Sequence, residues 1–263
     1  MKISVITVCY NSVRYLETAI TSVLGQSYPD LEYVIVDGGS RDGTLEIIET
    51  YAARDARIKW VSEPDSGISD AMNKGVRMAS GEIIAHLHSD ESYLDGEVVS
   101  EMAALFRGNP DAVWATGGFH FVDPAGRFLR EIKVRRYSYR RLIHSNIILH
   151  SATFVRRDAF LAIGGFDPSL RYCMDYHLWL RLGALGDPAI MGRSLSRFCV
   201  HGGSRSMAES ESAYDEELRV RLAFLKRRDI WPFPYRVEHL VKKRLNRIFI
   251  RRLVSSAGTV DPC

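Results

Sequence analysis

The spacing of apolar residues switches between two periods over the first hundred residues of the chain. Short apolar, β-branched runs predict strands, and runs with apolar residues every three or four positions predict helices. Strands are predicted over residues 3–8, 31–36, 58–61 and 82–87, and helices over 13–24, 44–53 (with Asp42 as N-cap) and 69–78. Strand–helix alternation with near-continuous apolar strands is typical of a parallel sheet covered by helices on both faces. The sequence therefore predicts an α/β fold.

The pattern changes after residue 95. The predicted order is a helix over 97–106, a strand over 112–115, a hairpin over 119–129 turning at 123–126, a strand over 151–155, a helix over 173–185, a strand over 195–201, and helices over 209–228 and 237–254. No internal repeat and no Gly/Ser linker interrupts this order. We therefore expect one continuous domain over 1–205, with halves 1–95 and 96–205, and a helical C-terminal appendage over 206–263.

Polar residues follow each of the first four predicted strands, at 7–11, 37–40, 63–65 and 88–91. Ligands of parallel sheets bind at the carboxyl ends of the strands, so we expect these residues to converge on one edge. Asp37 can accept there from a base imide N–H or a ribose hydroxyl, or it can simply form a turn before two glycines. The sequence thus predicts a single polar site at this edge.

The first strand–helix connection lacks the glycines of a dinucleotide-binding loop. It reads Cys9-Tyr10-Asn11-Ser12, and the chain has no Walker phosphate loop. A nucleotide diphosphate bound here needs another counter-charge, which a divalent cation can supply. Asp90 and Glu91 follow the fourth strand and suit Mg²⁺, which takes one or two protein carboxylates plus phosphate oxygens; a surface turn is the alternative.

Composition excludes several protein classes. The chain has 263 residues, 46% hydrophobic and 25% charged, which does not fit a collagen-like or disordered chain. The net charge is +3, but residues 236–263 hold seven Lys/Arg against two acids, a net of +5, which leaves 3 − 5 = −2 for residues 1–235. A net acidic body argues against a nucleic-acid binder and assigns the basicity to the C-terminal segment.

The sequence also favours a location inside the cell. No run approaches about 18 apolar residues, and the first residues run into a strand pattern without a signal peptide. The four cysteines are far apart, as expected of reduced thiols in a cytosolic protein. Residues 237–254 carry an apolar stripe flanked by six Lys/Arg. This segment suits an anionic membrane surface, the alternative being a solvated helix packed on the body.

A series of motifs in one order resembles family 2 glycosyltransferases of the GT-A fold over about residues 1–205. The motifs are residues 3–11, Val36-Asp37-Gly38-Gly39-Ser40 with the four residues after it, residues 62–75 and 80–93, Gly164-Gly165-Phe166-Asp167, and residues 174–182. The resemblance implies a Rossmann-like, mostly parallel sheet flanked by helices. It also implies a nucleotide-binding half over 1–95 and an acceptor half over 96–205.

The resemblance implies an inverting enzyme that moves a hexosyl or deoxyhexosyl group from a nucleotide diphosphate sugar to a hydroxyl. Asp175 matches the general base, and Asp90 matches the ligand of a divalent cation, Mn²⁺ or Mg²⁺. The residues implied at the nucleotide sugar are Thr7, Cys9, Asn11, Asp37, Asp65, Asp70, Asn73, Lys74, His88 and Ser89. Position 88 departs from the family, which most often has Asp or Asn there, so the metal requirement is left open. His201 is a second candidate metal ligand.

The acceptor side is less defined. His150 is either a substrate contact or an interior histidine, and His86, two residues before His88, is expected to face the opposite side as a core or surface residue. We expect acceptor specificity within 119–149, where the basic and aromatic residues are Arg135, Arg136, Tyr137, Tyr139, Arg140 and Arg141. The expected acceptor is a glycan or lipid-linked glycan at the cytoplasmic membrane face. A donor with uracil or thymine is favoured and guanine is open. A non-catalytic sugar-nucleotide or glycan-binding module is the alternative function.

Overall fold

A computed structural model describes residues 1–134, 136–200 and 210–226 of the chain. Its strands are β1 (Ile3–Cys9), β2 (Leu31–Asp37), β3 (Ile58–Ser62), β4 (Ile83–His86), β5 (Glu91–Tyr93), β6 (Trp114–Val122), β7 (Phe128–Ile132), β8 (Thr153–Arg156) and β9 (Ala189–Cys199). Its α-helices are α1 (Leu16–Leu24), α2 (Thr44–Ala52), α3 (Ile68–Met78), α4 (Val98–Gly108), α5 (Tyr139–His144), α6 (Arg157–Ala162), α7 (Met174–Gly183) and α8 (Ser210–Lys226). A 3-10 turn, His150–Ala152, precedes β8.

The strands form one sheet in the order β3-β2-β1-β4-β8-β6-β9-β5, with β7 paired to β6. The first four strands of this order pair in parallel, as predicted. Beyond β4 the sheet is mixed, because β8 pairs antiparallel with β4 and β6 whereas β6 and β9 are parallel. The carboxyl ends of β1 to β4 therefore share one edge, which lies beside the antiparallel half.

Helices cover both faces of the sheet. One core contains buried residues of α1, α2 and α4, such as Leu16, Ile48 and Met102. The other contains residues of α3, α6, α7 and α8, such as Met72 and Leu225. Alternate residues of β1 supply the two cores, as expected of a strand buried on both faces. Because Leu225 belongs to the second core, α8 packs directly on the sheet domain.

Local hydrogen bonds explain where the predicted boundaries differ. Helix α1 begins at Leu16 rather than at Val13, because the backbone N–H of Val13 donates to the carboxylate of Asp42 (3.2 Å). Gly43, at φ 99°, occupies the N-cap position of α2 where Asp42 was predicted. Asp42 nevertheless accepts from the backbone N–H of Thr44 (3.1 Å). The short elements β5, α5 and α6 were not predicted.

The hairpin turns where the sequence predicts, with Asp123 accepting from the N–H groups of Ala125 and Arg127, both at 2.9 Å. Helix α8 also agrees with the predicted helix over 209–228. No helix within the described ranges is long and apolar enough to cross a membrane. The basic segment 237–254, His201 and Arg135 lie outside the described residues.

Candidate active site

Side-chain hydrogen bonds join the loops that follow β1, β2 and β4. The backbone N–H of Asn11 donates to the hydroxyl of Ser40 (2.7 Å), and the hydroxyl of Ser89 donates to that of Ser12 (3.0 Å). Asn11 lies at φ 49°, a conformation that Asn tolerates better than most residues, and its side chain accepts from the N–H of Arg41 (3.0 Å). The predicted polar segments therefore meet at one edge of the sheet.

Asp37 lies at the end of β2 and is fully buried. Its carboxylate accepts from the N–H groups of Gly39 (3.1 Å) and Ser40 (2.9 Å), and from the hydroxyls of Ser40 and Ser62 (2.6 Å for Ser62). Burial raises the pKa of Asp37, but the hydrogen bonds from Ser40 and Ser62 outweigh it and hold the pKa below its usual value. The carboxylate thus organises the loop after β2, and its recognition of a base stays a prediction.

Thr7 and Cys9 lie beneath this edge with their side chains covered by the chain itself. The hydroxyl of Thr7 donates to the carbonyl of Leu87 (2.7 Å) and accepts from the hydroxyl of Tyr33 (2.9 Å). Burial, followed by the charge of Asp37, raises the pKa of the Cys9 thiol, which is therefore protonated. These side chains join neighbouring strands, and their place in a nucleotide pocket stays a prediction.

An aromatic ring and a carboxylate flank the turn at Gly38. A Cβ at Gly38 would lie 2.7 Å from Oδ2 of Asp65 and 3.4 Å from the ring of Tyr10, so only glycine lets both approach. Oδ1 of Asp65 accepts from the N–H of Gly67 (2.8 Å). Tyr10 is 62% exposed. The sequence reasoning did not single out Tyr10, because the exposure of its ring depends on how the turn at Gly38 packs.

Asp70 and Lys74 lie on α3 near this edge. Lys74 pairs with Glu63, which follows β3 (2.7 Å). Asp70 accepts from the N–H and the hydroxyl of Ser66, at 3.2 and 3.1 Å, which fixes the loop before α3. Hydrogen bonding by Ser66 lowers the pKa of Asp70. These contacts place both residues beside the loop that carries Asp65, and their role at a nucleotide sugar stays a prediction.

The side chain of Asn73 is hydrogen-bonded to the Gly-Gly-Phe loop. Its side-chain amide donates to the carbonyl of Phe166 (2.8 Å) and accepts from the N–H of the same residue (2.9 Å). Arg181 on α7 binds the same loop through the carbonyls of Ile163 and Gly165, at 2.6 and 2.5 Å. The Gly-Gly-Phe motif therefore joins α3 to α7, and the contact of Asn73 with a nucleotide stays a prediction.

The two acidic residues after β4, Asp90 and Glu91, differ in burial. Glu91 is buried and accepts from the backbone N–H of His88 (2.7 Å), while Asp90 lies half-buried at the edge. Burial, followed by the charge of Asp90, raises the pKa of Glu91 well above its usual value. Within the described ranges no three His, Cys, Asp or Glu residues cluster as metal ligands. One carboxylate, Asp90, fits a cation held mainly by the phosphate oxygens of a ligand.

Three imidazoles meet next to Asp90. The ring of His88 stacks on that of His150, with centroids 4.7 Å apart, and the ring of His86 lies 5.6 Å from the same residue. The prediction that His86 faces the opposite side is wrong, because residues two apart on a strand share a face; its burial in the interior was correctly expected. Burial lowers the pKa of all three, so they are neutral.

His150 also contacts α7, the helix that carries Asp175. Its ring centroid lies 5.9 Å from that of Trp179, and no hydrogen-bond partner of its Nε2 is found in the described part of the chain. His88 and His150 were predicted on the nucleotide side and the acceptor side respectively. The structure brings the two into contact, so the end of β4 and helix α7 lie on either side of one imidazole cluster.

Asp175 occupies the first turn of α7. Its carboxylate accepts from the side-chain amide of Asn146 (3.1 Å) and from the N–H of Tyr176 (2.6 Å). Burial raises the pKa of Asp175 to about 6; these two hydrogen bonds lower it and the charge of Glu217 raises it further. Sequence reasoning found neither Asn146 nor Glu217. At neutral pH Asp175 is mostly ionised and more basic than an ordinary aspartate.

The basic and aromatic stretch assigned to the acceptor is partly structural. The hydroxyl of Tyr139 donates to the carbonyl of Leu180 (2.9 Å), and Tyr137 packs edge-on against Trp114 with centroids 5.7 Å apart. These two tyrosines therefore support α7 and the core instead of forming an open surface. The described arginines of the stretch are exposed, namely Arg136, Arg140 and Arg141.

Known proteins resemble the chain in sequence. The chondroitin synthase of Escherichia coli is 26% identical over 234 residues, which cover 89% of this chain and 34% of the relative. The chain spans between about a third and three fifths of the length of the first curated relatives that it matches. The likeness therefore concerns one part of those proteins.

Solved structures share the fold. Staphylococcus aureus TarS 1–349 in complex with UDP-GlcNAc superposes with a TM-score of 0.68 at 19% identity, over 89% of this chain and 69% of that one. The mannosyltransferase PcManGT from Pyrobaculum calidifontis, in complex with GDP-Man and Mn²⁺, gives 0.64 at 18% identity, over 97% and 73%. At these identities the likeness shows the fold alone, which is the GT-A glycosyltransferase fold predicted from the motifs.

The family model of glycosyl transferase family 2 matches residues 4–164, more than half of the chain. This match includes all four loops at the carboxyl edge of the parallel strands. The chain therefore belongs to glycosyl transferase family 2.

Proposed function

We propose that the protein transfers a hexosyl or deoxyhexosyl group from a nucleotide diphosphate sugar to a hydroxyl of a glycan or glycolipid, with inversion at the anomeric carbon. One observation carries the proposal. Asp175, a half-buried carboxylate with its pKa raised to about 6, lies on α7. Trp179 of the same helix contacts His150, whose ring stacks on that of His88, two residues before Asp90. A basic carboxylate and the loop assigned to the diphosphate thus border one site.

The proposed chemistry needs a base and a stabilised leaving group. A sugar hydroxyl is a poor nucleophile, so Asp175 takes its proton as the hydroxyl oxygen bonds to the anomeric carbon and the bond to the diphosphate breaks. Attack from the side opposite the leaving group inverts the anomeric configuration. A divalent cation bound by Asp90 would stabilise the negative charge that develops on the diphosphate. His201 remains a candidate second ligand, outside the described residues.

The donor is proposed to bind over residues 1–95. Tyr10 offers an exposed ring for stacking on a base, and Asp65 offers a carboxylate beside it. UDP-GlcNAc in the complex of TarS supports a uracil donor, and dTDP is the related choice. GDP-Man in PcManGT keeps guanine among the donors to be tested, and Mn²⁺ in the same complex supports testing that ion.

The acceptor is proposed to bind over residues 96–205. The similarity to a chondroitin synthase supports a glycan acceptor. We propose that the basic segment 237–254 brings the protein to the cytoplasmic face of an anionic membrane. Removal of residues 236–263 should then abolish binding to vesicles containing phosphatidylserine, and unchanged binding would contradict this part of the proposal.

A thermal-shift panel of nucleotide sugars with and without Mn²⁺ tests the donor and the cation. We expect one base to raise the melting temperature most, and the rise to need the cation and Asp90. Asp175→Asn should keep this shift and lose sugar transfer, because the base acts on the acceptor and not on the nucleotide. Asp111→Asn, at an exposed position, is the matched control. Binding without transfer by the unaltered protein would favour the non-catalytic module, to which the departure at His88 points.

A further inference from the structure

Helix α8 contacts α7 where α7 begins. The carboxylate of Glu216 on α8 is 4% exposed and accepts from three consecutive backbone N–H groups, those of Arg171 (3.1 Å), Tyr172 (2.6 Å) and Cys173 (2.9 Å). These residues immediately precede Met174, the first residue of α7. One buried charge thus satisfies three donors and lies at the positive end of the α7 dipole, where a negative charge is favourable.

Other α8 side chains hold the same turn. The thiol of Cys173 donates to the carbonyl of Ala213 (3.2 Å). Arg221 is almost fully buried, donates from Nε to the hydroxyl of Tyr176 (3.3 Å), and pairs with Glu217. Tyr176 is the residue directly after Asp175, and its hydroxyl donates to the carbonyl of Ile143 (2.9 Å). Both sides of Asp175 along the chain are therefore attached to α8.

We propose that α8 is part of the catalytic apparatus, with Glu216 as a positioning residue that fixes the first turn of α7 and thereby the carboxylate of Asp175. The inference rests on the proposed role of Asp175 as general base. A base must lie within about 3 Å of the hydroxyl from which it takes a proton. Loss of the Glu216 carboxylate leaves three N–H groups, of which that of Cys173 is buried, to find new partners, and the first turn, with Asp175, moves as they do.

The charge on α8 supports the same role. Glu217 faces Asp175, and its negative charge makes the protonated form of Asp175 more favourable. Arg221 opposes this effect because it pairs with Glu217. The titratable or hydrogen-bonding groups that act on Asp175 are Glu217 from α8, Cys173 and Tyr176 from α7, and Asn146 from the segment after α5. Of these, Glu217 bears a charge at neutral pH.

A titration of Asp175 in the full-length protein tests the inference without any substrate. Aspartate labelled with ¹³C at the side-chain carboxyl gives one resonance per residue, and Asp175→Asn identifies the resonance of Asp175. We expect a midpoint near 6 in the unaltered protein. Glu217→Gln should lower the midpoint by about half a unit, since it removes a nearby negative charge. Glu216→Gln should shift the Asp175 resonance, and Asp215→Asn, an exposed acid on the same helix, should change neither.

Turnover adds a second readout, with UDP-GlcNAc as the first donor and release of UDP as the signal. Glu216→Gln should lower kcat by about tenfold or more with the donor KM unchanged, because a displaced base slows chemistry and not binding. Glu216→Asp keeps the charge and should retain more activity than Glu216→Gln.

The two possible failures are distinguishable. An Asp175 resonance unchanged in Glu216→Gln would overturn the positioning role of Glu216, whatever the activity of the protein, and a midpoint unchanged in Glu217→Gln would overturn the electrostatic effect of α8 on Asp175. Full transfer activity in Asp175→Asn would instead overturn the proposed base and leave the titration result standing. If Glu216→Gln does not fold, Glu216→Asp replaces it: the shorter carboxylate cannot reach all three N–H groups in the same geometry and should still shift the Asp175 resonance, and an unchanged resonance would overturn the proposal.

Discussion

Replacing Asp175, the proposed base, should stabilise the protein at neutral pH. Asp175 has a pKa of about 6 in the folded chain, against an ordinary value of 3.8. An acid whose pKa is raised by folding destabilises the native state once it ionises, because the folded environment disfavours its charge. Asn carries no charge at any pH and fills nearly the same volume. Asp175→Asn should therefore unfold at a higher temperature than the unaltered protein while losing sugar transfer.

The size and the pH dependence of the gain follow from these pKa values. A difference of about two units at about 1.4 kcal/mol each gives roughly 3 kcal/mol at pH 7. The penalty is absent below about pH 4, where Asp175 is protonated in both states, grows between about pH 4 and 6, and is constant above. The amide must also realign against Asn146, which offsets part of the gain. We expect the free energy of unfolding to rise by about 1–3 kcal/mol in total. In a chain of this size each kcal/mol raises the melting temperature by ~2–4 °C.

Differential scanning calorimetry at pH 7.5 and pH 5 measures both features. The gain at pH 5 should be about half of that at pH 7.5, because Asp175 is then mostly protonated in the folded protein. Asp111→Asn removes the same charge at an exposed position and should leave the melting temperature within about 1 °C. A lower melting temperature for Asp175→Asn at pH 7.5, or a gain that is equal at the two pH values, would refute the reasoning.

Three further substitutions test the fold beneath the site. Asn73→Ala loses both hydrogen bonds to the Gly-Gly-Phe loop and should lower the free energy of unfolding, measured in urea, by about 2–3 kcal/mol. Weaker nucleotide binding with unchanged stability would instead indicate that Asn73 contacts the nucleotide. Glu32→Gln breaks the ion pair between the buried Glu32 carboxylate and the exposed Lys59. Hydrogen bonds from Lys59 and from serines hold the pKa of Glu32 at about 2 despite burial. The destabilisation, up to about 3 kcal/mol at pH 7, should shrink as pH falls below about 4.5; a pH-independent difference would argue against the pair. Gly38→Ala places a methyl group 2.7 Å from Asp65 and should weaken nucleotide-sugar binding in calorimetry with little change in melting temperature; unchanged affinity would place Asp65 outside the site.

The polar edge at the carboxyl ends of the parallel strands could be predicted because its determinants are local. A short apolar run predicts each strand. The rule that parallel strands end at one edge then predicts that Asn11, Ser40 and Ser89 lie close together, without any knowledge of packing. The orientation of His86 was predicted wrongly because the strand period was misapplied: residues two apart on a strand, such as His86 and His88, share a face. Tyr10 was missed because its exposure depends on how the turn at Gly38 packs.

The surroundings of Asp175 were predicted only in part, because the contacts there join residues that are distant in the sequence. Asn146 reaches Asp175 across 29 positions, and Glu216 reaches Cys173 across 43. No periodicity or motif around Glu216 distinguishes it from the other acids of its helix, since the three N–H groups that it accepts from belong to another segment. The resemblance supplied Asp175, and the structure supplied the groups that orient it and set its basicity.

The hydrogen bonds that join the loops after β1, β2 and β4 run between groups of the chain itself, so the loops hold one another in place. A nucleotide sugar that enters this edge therefore meets a preorganised surface, and little backbone entropy is lost in ordering it. Affinity for the donor should then vary mainly through dissociation, with association rates similar across donors. Selectivity between bases would accordingly reside in which groups the rigid surface presents, such as the ring of Tyr10, and not in a closing motion of these loops.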